Sequence, residues 1–396
     1  MLGIWMWADT LTARGADKVF DDCMLIGVTD VFFLTKGLSG NCAFRTDLAP
    51  AMLEGRDLLD EALGAAHKRG IRLHAWFTSA QDKRYCSEHP ECGLYHLTKG
   101  RSESIVSITD ESYARFTHDI VSDVLAAYPV DGVHLDYIRY NHLLYGWSDG
   151  DLERYRRQGA DADRIRKLVE RTFYGDDADK QAVFEAYRQG DRDVRALAET
   201  RINNVCRFAD TVLEGVRTAR PDITVSAALM PEGAYDTVFA HLHYGQDYER
   251  LSGKLDLLLP MAYSIAYGMD DAWVRKVTIG ALRFGPKVLT GLHAYEGGTG
   301  ETLKKDMAAV LGVEGVSGVC LFRYGTAVLA LVNGNKLTVT NPTDAPVTAL
   351  ELSGGKGKQG FEMTIPSGES VDIPYSAGYD ALRAWSGDKE ICAYMS

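Results

Sequence analysis

"VDGVHLDYIRY", residues 130–140, reads as a buried strand, yet it places three ionisable side chains, His134, Asp136 and Arg139, close together. Successive side chains of a strand point to opposite faces. Val133, Leu135 and Tyr137 therefore form one row, and Gly132, His134 and Asp136 the other. The apolar row suits a covering layer of helices. That leaves His134 and Asp136 directed toward the interior that the sheet encloses. Asp136 is last in its row, so it emerges at the strand's C-terminal end.

The surrounding chain repeats this pattern. From residue 2 to about 325, short β-branched or aromatic runs alternate with amphipathic helical stretches: "LGIWMWA", "VTDVFFLTK", "IRLHAWFTS", "VDGVHLDYI", "ITVSAALMP", "LDLLLPMAY", "KVLTGLHAY" and "SGVCLFRYG". Between them lie segments such as "DLLDEALGAAHKRG", with helical spacing and a C-terminal glycine. Eight βα units point to an α/β fold, a (β/α)8 TIM barrel. An open doubly wound sheet is the rival, but no G-x-G-x-x-G follows the first strand. After residue 330 the period changes to two, with Asn-Pro, Gly-Gly and Ser-Gly turns. The expected organisation is a barrel over 1–328 and a small C-terminal all-β sandwich over 329–396. The sandwich reads as a packing appendage, with glycan binding as the alternative. Two long insertions, about 80–112 and 141–200, leave from strand C-terminal ends, where barrel enzymes build their sites. Each is expected to form part of a lid or cleft wall.

Bulk properties narrow the partners. The 396 residues are 46% hydrophobic and 25% charged, as in an ordinary soluble protein. The formal net charge of −12 disfavours a nucleic-acid phosphate backbone. No apolar run approaches the roughly 20 residues of a membrane-spanning helix. The opening "MLGIWMWADT" lacks the basic n-region of a secretory signal, as expected of a cytoplasmic chain or one whose signal has been removed. Seven scattered cysteines argue against a full disulfide framework. In "YCSEHPECGLYH", Cys86, His89, Cys92 and His96 lie close in sequence, but their spacing matches no strong zinc pattern. A loop with free thiols is the plain reading. A metal site serving a hydrolase, or a local disulfide, is the alternative.

Strand parity also picks out the other residues at the rim. Strand one places Trp5, Trp7 and Asp9 in a row, strand three His74, Trp76 and Thr78, strand five Ser226, Ala228, Met230 and Glu232, and strand seven Gly291, His293 and Tyr295. Strand six ends in Tyr263, and strand eight offers Arg323. A barrel interior serving stability alone would hold Val, Ile and Leu. Aromatic faces pack on sugar C–H surfaces, and Asp, His and Arg bond hydroxyls. Two acidic groups on neighbouring strands suit glycosidic cleavage, which needs one carboxyl to protonate the leaving oxygen and another as nucleophile or base. No metal or cofactor is required for it.

"YPVDGVHLDYIRY", preceded by "YARFTHDIVSDVLAA", resembles the fourth strand of glycoside-hydrolase-like TIM-barrel families. "ITVSAALMPEGAYD", "YGQDYERLSGKLDLLLPMAYS" and "VLTGLHAY" resemble their fifth, sixth and seventh strands, so the likeness spans residues 1–325. The resemblance implies that Asp136 is catalytic, as nucleophile or general base, and that Glu232 is its acid/base partner. A carboxyl separation of roughly 5 Å would imply retention, and roughly 6.5–9.5 Å inversion. Asp9 and Glu296 are reserve carboxylates. Trp7, Trp76, His74, His134, Arg139, Tyr263, His293, Tyr295 and Arg323 are the expected substrate contacts. The chain departs from the chitinase pattern "DGhDhDhE", with His134 and Ile138 at two acidic positions. The expected activity is hydrolysis of an oligo- or polysaccharide. The alternative from another class is a barrel that binds carbohydrate without cleaving it.

Overall fold

In the computed structural model, which describes residues 1–396, eight parallel strands pair in sequence order and close on themselves. Barrel strands one to eight are Leu2–Met6, Asp30–Lys36, Arg72–Thr78, Gly132–Asp136, Thr224–Leu229, Leu257–Ala262, Lys287–His293 and Gly318–Phe322. Closure runs through Leu2 opposite Val319. The TIM barrel expected from the alternating runs is the fold of this chain.

Strand parity sorts the apolar residues into two separate clusters. Ile4, Val31, Leu73, Val133, Leu135 and Val225 face outward and join the large core beneath the helices. Trp5, Phe32, Trp76, Ala228, Leu259 and Cys320 face inward and form a compact cluster on the barrel axis. Each of the large aliphatic or aromatic side chains among them contributes about 1.5–3 kcal/mol of burial. The interior is unusually aromatic, and glycines make room for it. A Cβ at Gly132 would lie 2.0 Å from His74 Nδ1, and one at Gly291 2.8 Å from the Trp5 ring.

Many loop carboxylates are occupied in starting helices. Asp57, Asp110, Asp236, Asp247 and Asp270 each accept a backbone N–H as an N-cap. This removes three aspartates near strands five and six from the pool of free rim carboxylates.

The insertion after strand three holds a short helix, Lys83–Glu88, and a hairpin of Gly93–His96 with Gly100–Val106. It is anchored by an ion pair between Lys36 Nζ and Asp82 Oδ2, 2.9 Å apart and with both side chains fully buried. The insertion after strand four is helical: Asp149–Arg157, Ala162–Tyr174, Ala182–Arg188 and the start of Arg192–Val212. These helices bury their own core, including Trp147, Tyr155, Ile165 and Leu197.

Arg201, fully buried, ties this unit to the barrel rim. Its guanidinium donates to the carbonyls of Tyr145 (2.7 Å), His142 (3.0 Å) and His243 (2.9 Å) and stacks 3.8 Å over the Tyr140 ring. Arg201→Met keeps the apolar stem but strands the carbonyls of Tyr145 and His243, while His142 O keeps the Tyr145 N–H. It should lower the unfolding free energy by about 3 kcal/mol, measured by urea denaturation. A change below about 1 kcal/mol would show that water replaces the guanidinium.

The C-terminal region forms a β-sandwich. One sheet orders Ser370–Pro374, Lys336–Thr340, Val328–Asn333 and Ala393–Met395; the other orders Gly357–Ile365, Val347–Gly354, Tyr379–Ser386 and Lys389–Ile391. Val339, Leu350, Leu352 and Leu382 lie in its core. It meets the barrel through Arg14 Nη2 to Gly368 O (3.1 Å), Lys304 to Asp380 (2.8 Å) and Lys389 to Glu296 (2.6 Å).

Candidate active site

Asp136 is the last residue of strand four, in register with Thr78 of strand three. It lies at the floor of a cleft of about 520 Å³ at the C-terminal end of the barrel. Its carboxylate accepts the Trp76 Nε1–H at 3.1 Å on Oδ2 and the Tyr137 backbone N–H at 2.7 Å on Oδ1. Burial pushes its pKa from 3.8 up to about 6, although the nearby Arg139 charge and these two donors pull it down. A carboxyl poised there gains or loses a proton near neutrality, as acid–base chemistry requires.

Parity assigns Tyr137 to the outward row, but its φ of +55° reverses the chain there. The left-handed turn interrupts the alternation, brings the Tyr137 N–H to the carboxylate and sets its side chain on the cleft wall. Such backbone is costly for a tyrosine and tends to occur at functional sites. Arg139 follows, half-buried, its guanidinium 4.9 Å from the Tyr137 ring and 5.8 Å from that of Tyr244. It donates to Asn141 Oδ1 at 3.1 Å, while its buried Nε has no partner.

Below this layer His134 has a structural task. Its Nε2 accepts the Trp5 Nε1–H at 3.1 Å, which puts the ring proton on Nδ1, 2.9 Å from Ser226 Oγ. Complete burial holds its pKa well below the ordinary value, so the ring is neutral. His134 thus fixes the indole of Trp5, and Trp5 lines the cleft.

Trp7, Asp9, Trp76 and Tyr263 line the cleft with Asp136 and Arg139. The remaining expected contacts do not. His74 bonds Asp30 Oδ1 at 3.0 Å at the opposite mouth of the barrel, beside Met1 and Arg72. His293 turns Nε2 to the Glu296 carbonyl at 2.9 Å and stacks on Tyr295, which supports Tyr263 from behind at 6.1 Å. Glu296 is exposed and paired with Lys389, outside the cleft. Arg323 stacks 3.5 Å over Trp7 and so covers one face of that indole.

Glu232 sits in a short 3-10 turn, Pro231–Ala234, and is buried without lining the cleft. Tyr244 OH donates to its Oε1 at 3.4 Å, and Oε2 has no partner. Burial raises its pKa, opposed by a backbone hydrogen bond and by the Tyr244 hydroxyl. The cleft carboxylates are therefore Asp136 and Asp9, with Glu232 in an aromatic enclosure in the turn that follows strand five.

The sequence reading misses Phe322 and the loop after strand two. Phe322 lines the cleft and touches Trp5 (5.8 Å), Tyr263 (5.5 Å) and Tyr295 (5.7 Å). It shares the row of Cys320, so parity carried the signal, which the neighbouring charge of Arg323 obscured. Leu38, Asn41 and Met52 enter from the loop after strand two, where no periodicity announces them.

The Cys/His loop does not gather its four side chains. The Cys86 and Cys92 thiols are buried and pushed up to about 11 and about 12 by that burial. His89 faces Glu91 at 3.7 Å, and His96 Nδ1 accepts the N–H groups of Thr98 and Lys99 at 3.1 and 3.2 Å. No group of three or more His, Cys, Asp or Glu is arranged to hold a metal ion.

A family model described as glycosyl hydrolase-like 10 matches residues 46–282, a span that includes Asp136, Arg139 and Glu232. The glycoside hydrolase domain of PgaB (BpsB) from Bordetella bronchiseptica shares the fold, with a TM-score of 0.62 and 14% identity over 81% of this chain and 93% of that one. A beta-galactosidase from the psychrophilic Marinomonas ef1 superposes with a TM-score of 0.59 and 12% identity over 82% of this chain and 54% of that one. An alpha-L-fucosidase isoenzyme 2 from Paenibacillus thiaminolyticus gives 0.57 and 14% over 81% and 45%. At these identities the likeness is one of fold. No curated protein matches the chain.

Proposed function

The chain belongs to the glycosyl hydrolase-like 10 family, and we propose that it cleaves glycosidic bonds in an oligo- or polysaccharide with Asp136 as a catalytic carboxyl. The observation that carries this reading is the Asp136 site itself. A buried carboxyl with a pKa of about 6 lies at the floor of an aromatic-walled cleft, at the end of the barrel where such enzymes react. Above that pKa Asp136 is ionised and serves as nucleophile or as base toward water. Glu232, its carboxyl raised by burial, is the candidate partner that protonates the leaving oxygen. Trp76 and the Tyr137 N–H orient Asp136, while Tyr263 and Phe322 provide stacking surfaces for sugar rings.

A second assignment draws support from the position of Glu232 outside the cleft. There Asp136, its pKa raised to about 6, is the acid and Asp9, the other carboxyl of the cleft, is its partner. The pH profile separates the two. An ionised nucleophile or base gives a kcat/KM that rises with pH through about 6, whereas an acid gives one that falls there. Arg139→Met identifies the limb in either case. The guanidinium favours the ionised carboxyl, so its loss should move the Asp136 limb to higher pH by about one unit. An unmoved limb would belong to another group.

The functional test is a panel of polysaccharides and aryl glycosides offered to wild type and to Asp136→Asn. Cleavage by wild type alone is the expected result. Glycan binding with no turnover of any member would make the protein a binding barrel instead.

A further inference from the structure

We infer that the outer part of the cleft, over barrel strands one and two, accepts an apolar alkyl or aryl substituent carried by the glycoside. The inference rests on the glycosidase reading for the sugar that occupies the floor beside Asp136.

The lining divides by chemistry. Asp136, Arg139 and Thr78 supply polar groups on the strand-three and strand-four side. Across the cleft the wall is Trp7, Ala8, Leu34, Leu38 and Met52, relieved by Asp9, Ser39 and Asn41. Ser39 Oγ is turned to its own loop, accepting the Asn41 N–H at 3.3 Å. A second sugar ring lying here would lose water from several hydroxyls and find few partners, which disfavours it. An apolar group loses nothing of that kind and gains burial.

The wall is preformed. Leu38 is 47% exposed at the cleft mouth, on a loop tied down by backbone bonds. The carbonyls of Leu38 and Ser39 accept the N–H groups of Lys83 (3.1 Å) and Arg84 (3.0 Å). Gly37 N–H reaches Asn41 O at 3.0 Å, and Met52 N–H reaches Cys42 O at 2.7 Å. Met52 Cε stands 3.0 Å from where a Cβ at Gly37 would be, so the thioether lies flat along the glycine backbone. The apolar face is thus held open by backbone bonds, with little ordering left for a ligand to impose. It is continuous with the Asp136 floor, so a single ligand spans both.

The test measures binding of n-alkyl β-D-glucosides and β-D-galactosides, methyl to hexyl and below their micelle concentrations, to the Asp136→Asn protein by calorimetry. Affinity should rise by up to about fourfold per methylene, the increment of a buried CH2. Leu38→Ser and Met52→Ser, each added to Asp136→Asn, should flatten that rise. Equal affinity from methyl to hexyl, or an unchanged slope in both variants, would overturn the inference. Chain-length-dependent binding without turnover of the hexyl glycosides or of any glycan by wild type would keep the apolar subsite and remove the glycosidase reading. Turnover with flat binding would do the reverse.

Discussion

Asp136→Asn should reduce kcat by about a thousandfold or more while the protein remains folded. General acid–base and nucleophilic carboxyls contribute factors of roughly 10² to 10⁴ through proton transfer alone, and the amide can neither attack carbon nor exchange a proton near neutrality. The stability consequence has the opposite sign. The Asp136 pKa rises from 3.8 in the unfolded chain to about 6 in the fold. Between those values the folded protein holds a proton that the unfolded chain has released, so stability falls as pH climbs from about 4 to about 6 and stays lower above that. The accumulated loss is about 3 kcal/mol, and the asparagine variant does not incur it. Asparagine does present an NH2 to one of the two donors, Trp76 or the Tyr137 N–H, at a cost of about 1–3 kcal/mol. The variant should therefore match or exceed wild type in thermal stability at pH 7 and gain on it between pH 4 and 6. Full activity in Asp136→Asn would remove this residue from the chemistry. A stability difference independent of pH would mean that its carboxyl is not perturbed by burial.

Strand parity located much of the site because a barrel strand offers two faces and one exit. It placed Trp5, Trp7 and Asp9 in one row, and Trp76 and Asp136 on interior rows; all line the cleft. Parity specifies a face and leaves depth open, and His74 shows the difference. It shares a row with Trp76 and Thr78 but lies four residues before Thr78, roughly 13 Å deeper along the strand, and so bonds Asp30 at the far mouth. Parity also ends with the strand. Tyr137 leaves its row through a left-handed backbone, and Glu232 leaves the row of Ala228 through a 3-10 turn. The wall from the loop after strand two depends on contacts with the Lys83–Glu88 helix more than forty residues later, which no local pattern encodes.

Asp82→Asn should be the most damaging conservative change outside the cleft, lowering the unfolding free energy by about 3–5 kcal/mol. Asparagine is as good an N-cap as aspartate, so the bond from Tyr85 N–H (2.8 Å) to the helix cap survives. What disappears is the countercharge of Lys36, which lies 2.9 Å from Asp82 with both side chains fully buried. The ammonium keeps Tyr113 OH at 3.2 Å and the Gln81 carbonyl at 3.4 Å, which are neutral acceptors. Removing one partner of a buried pair leaves the other charge desolvated and unpaired, whereas removing both charges is often close to neutral. Lys36→Met combined with Asp82→Asn should accordingly recover most of the loss. The half-exposed Arg56–Glu61 pair provides the control, and Glu61→Gln should cost at most about 1 kcal/mol. Urea denaturation of the four proteins measures the contrast. Asp82 also begins the helix whose first N–H groups hold Leu38 and Ser39. Amide exchange at Lys83 and Arg84 should therefore quicken in Asp82→Asn and return toward the wild-type rate in the double variant. A loss no larger than that of Glu61→Gln would show that water reaches Lys36, and that the cleft wall is not secured by a buried charge pair.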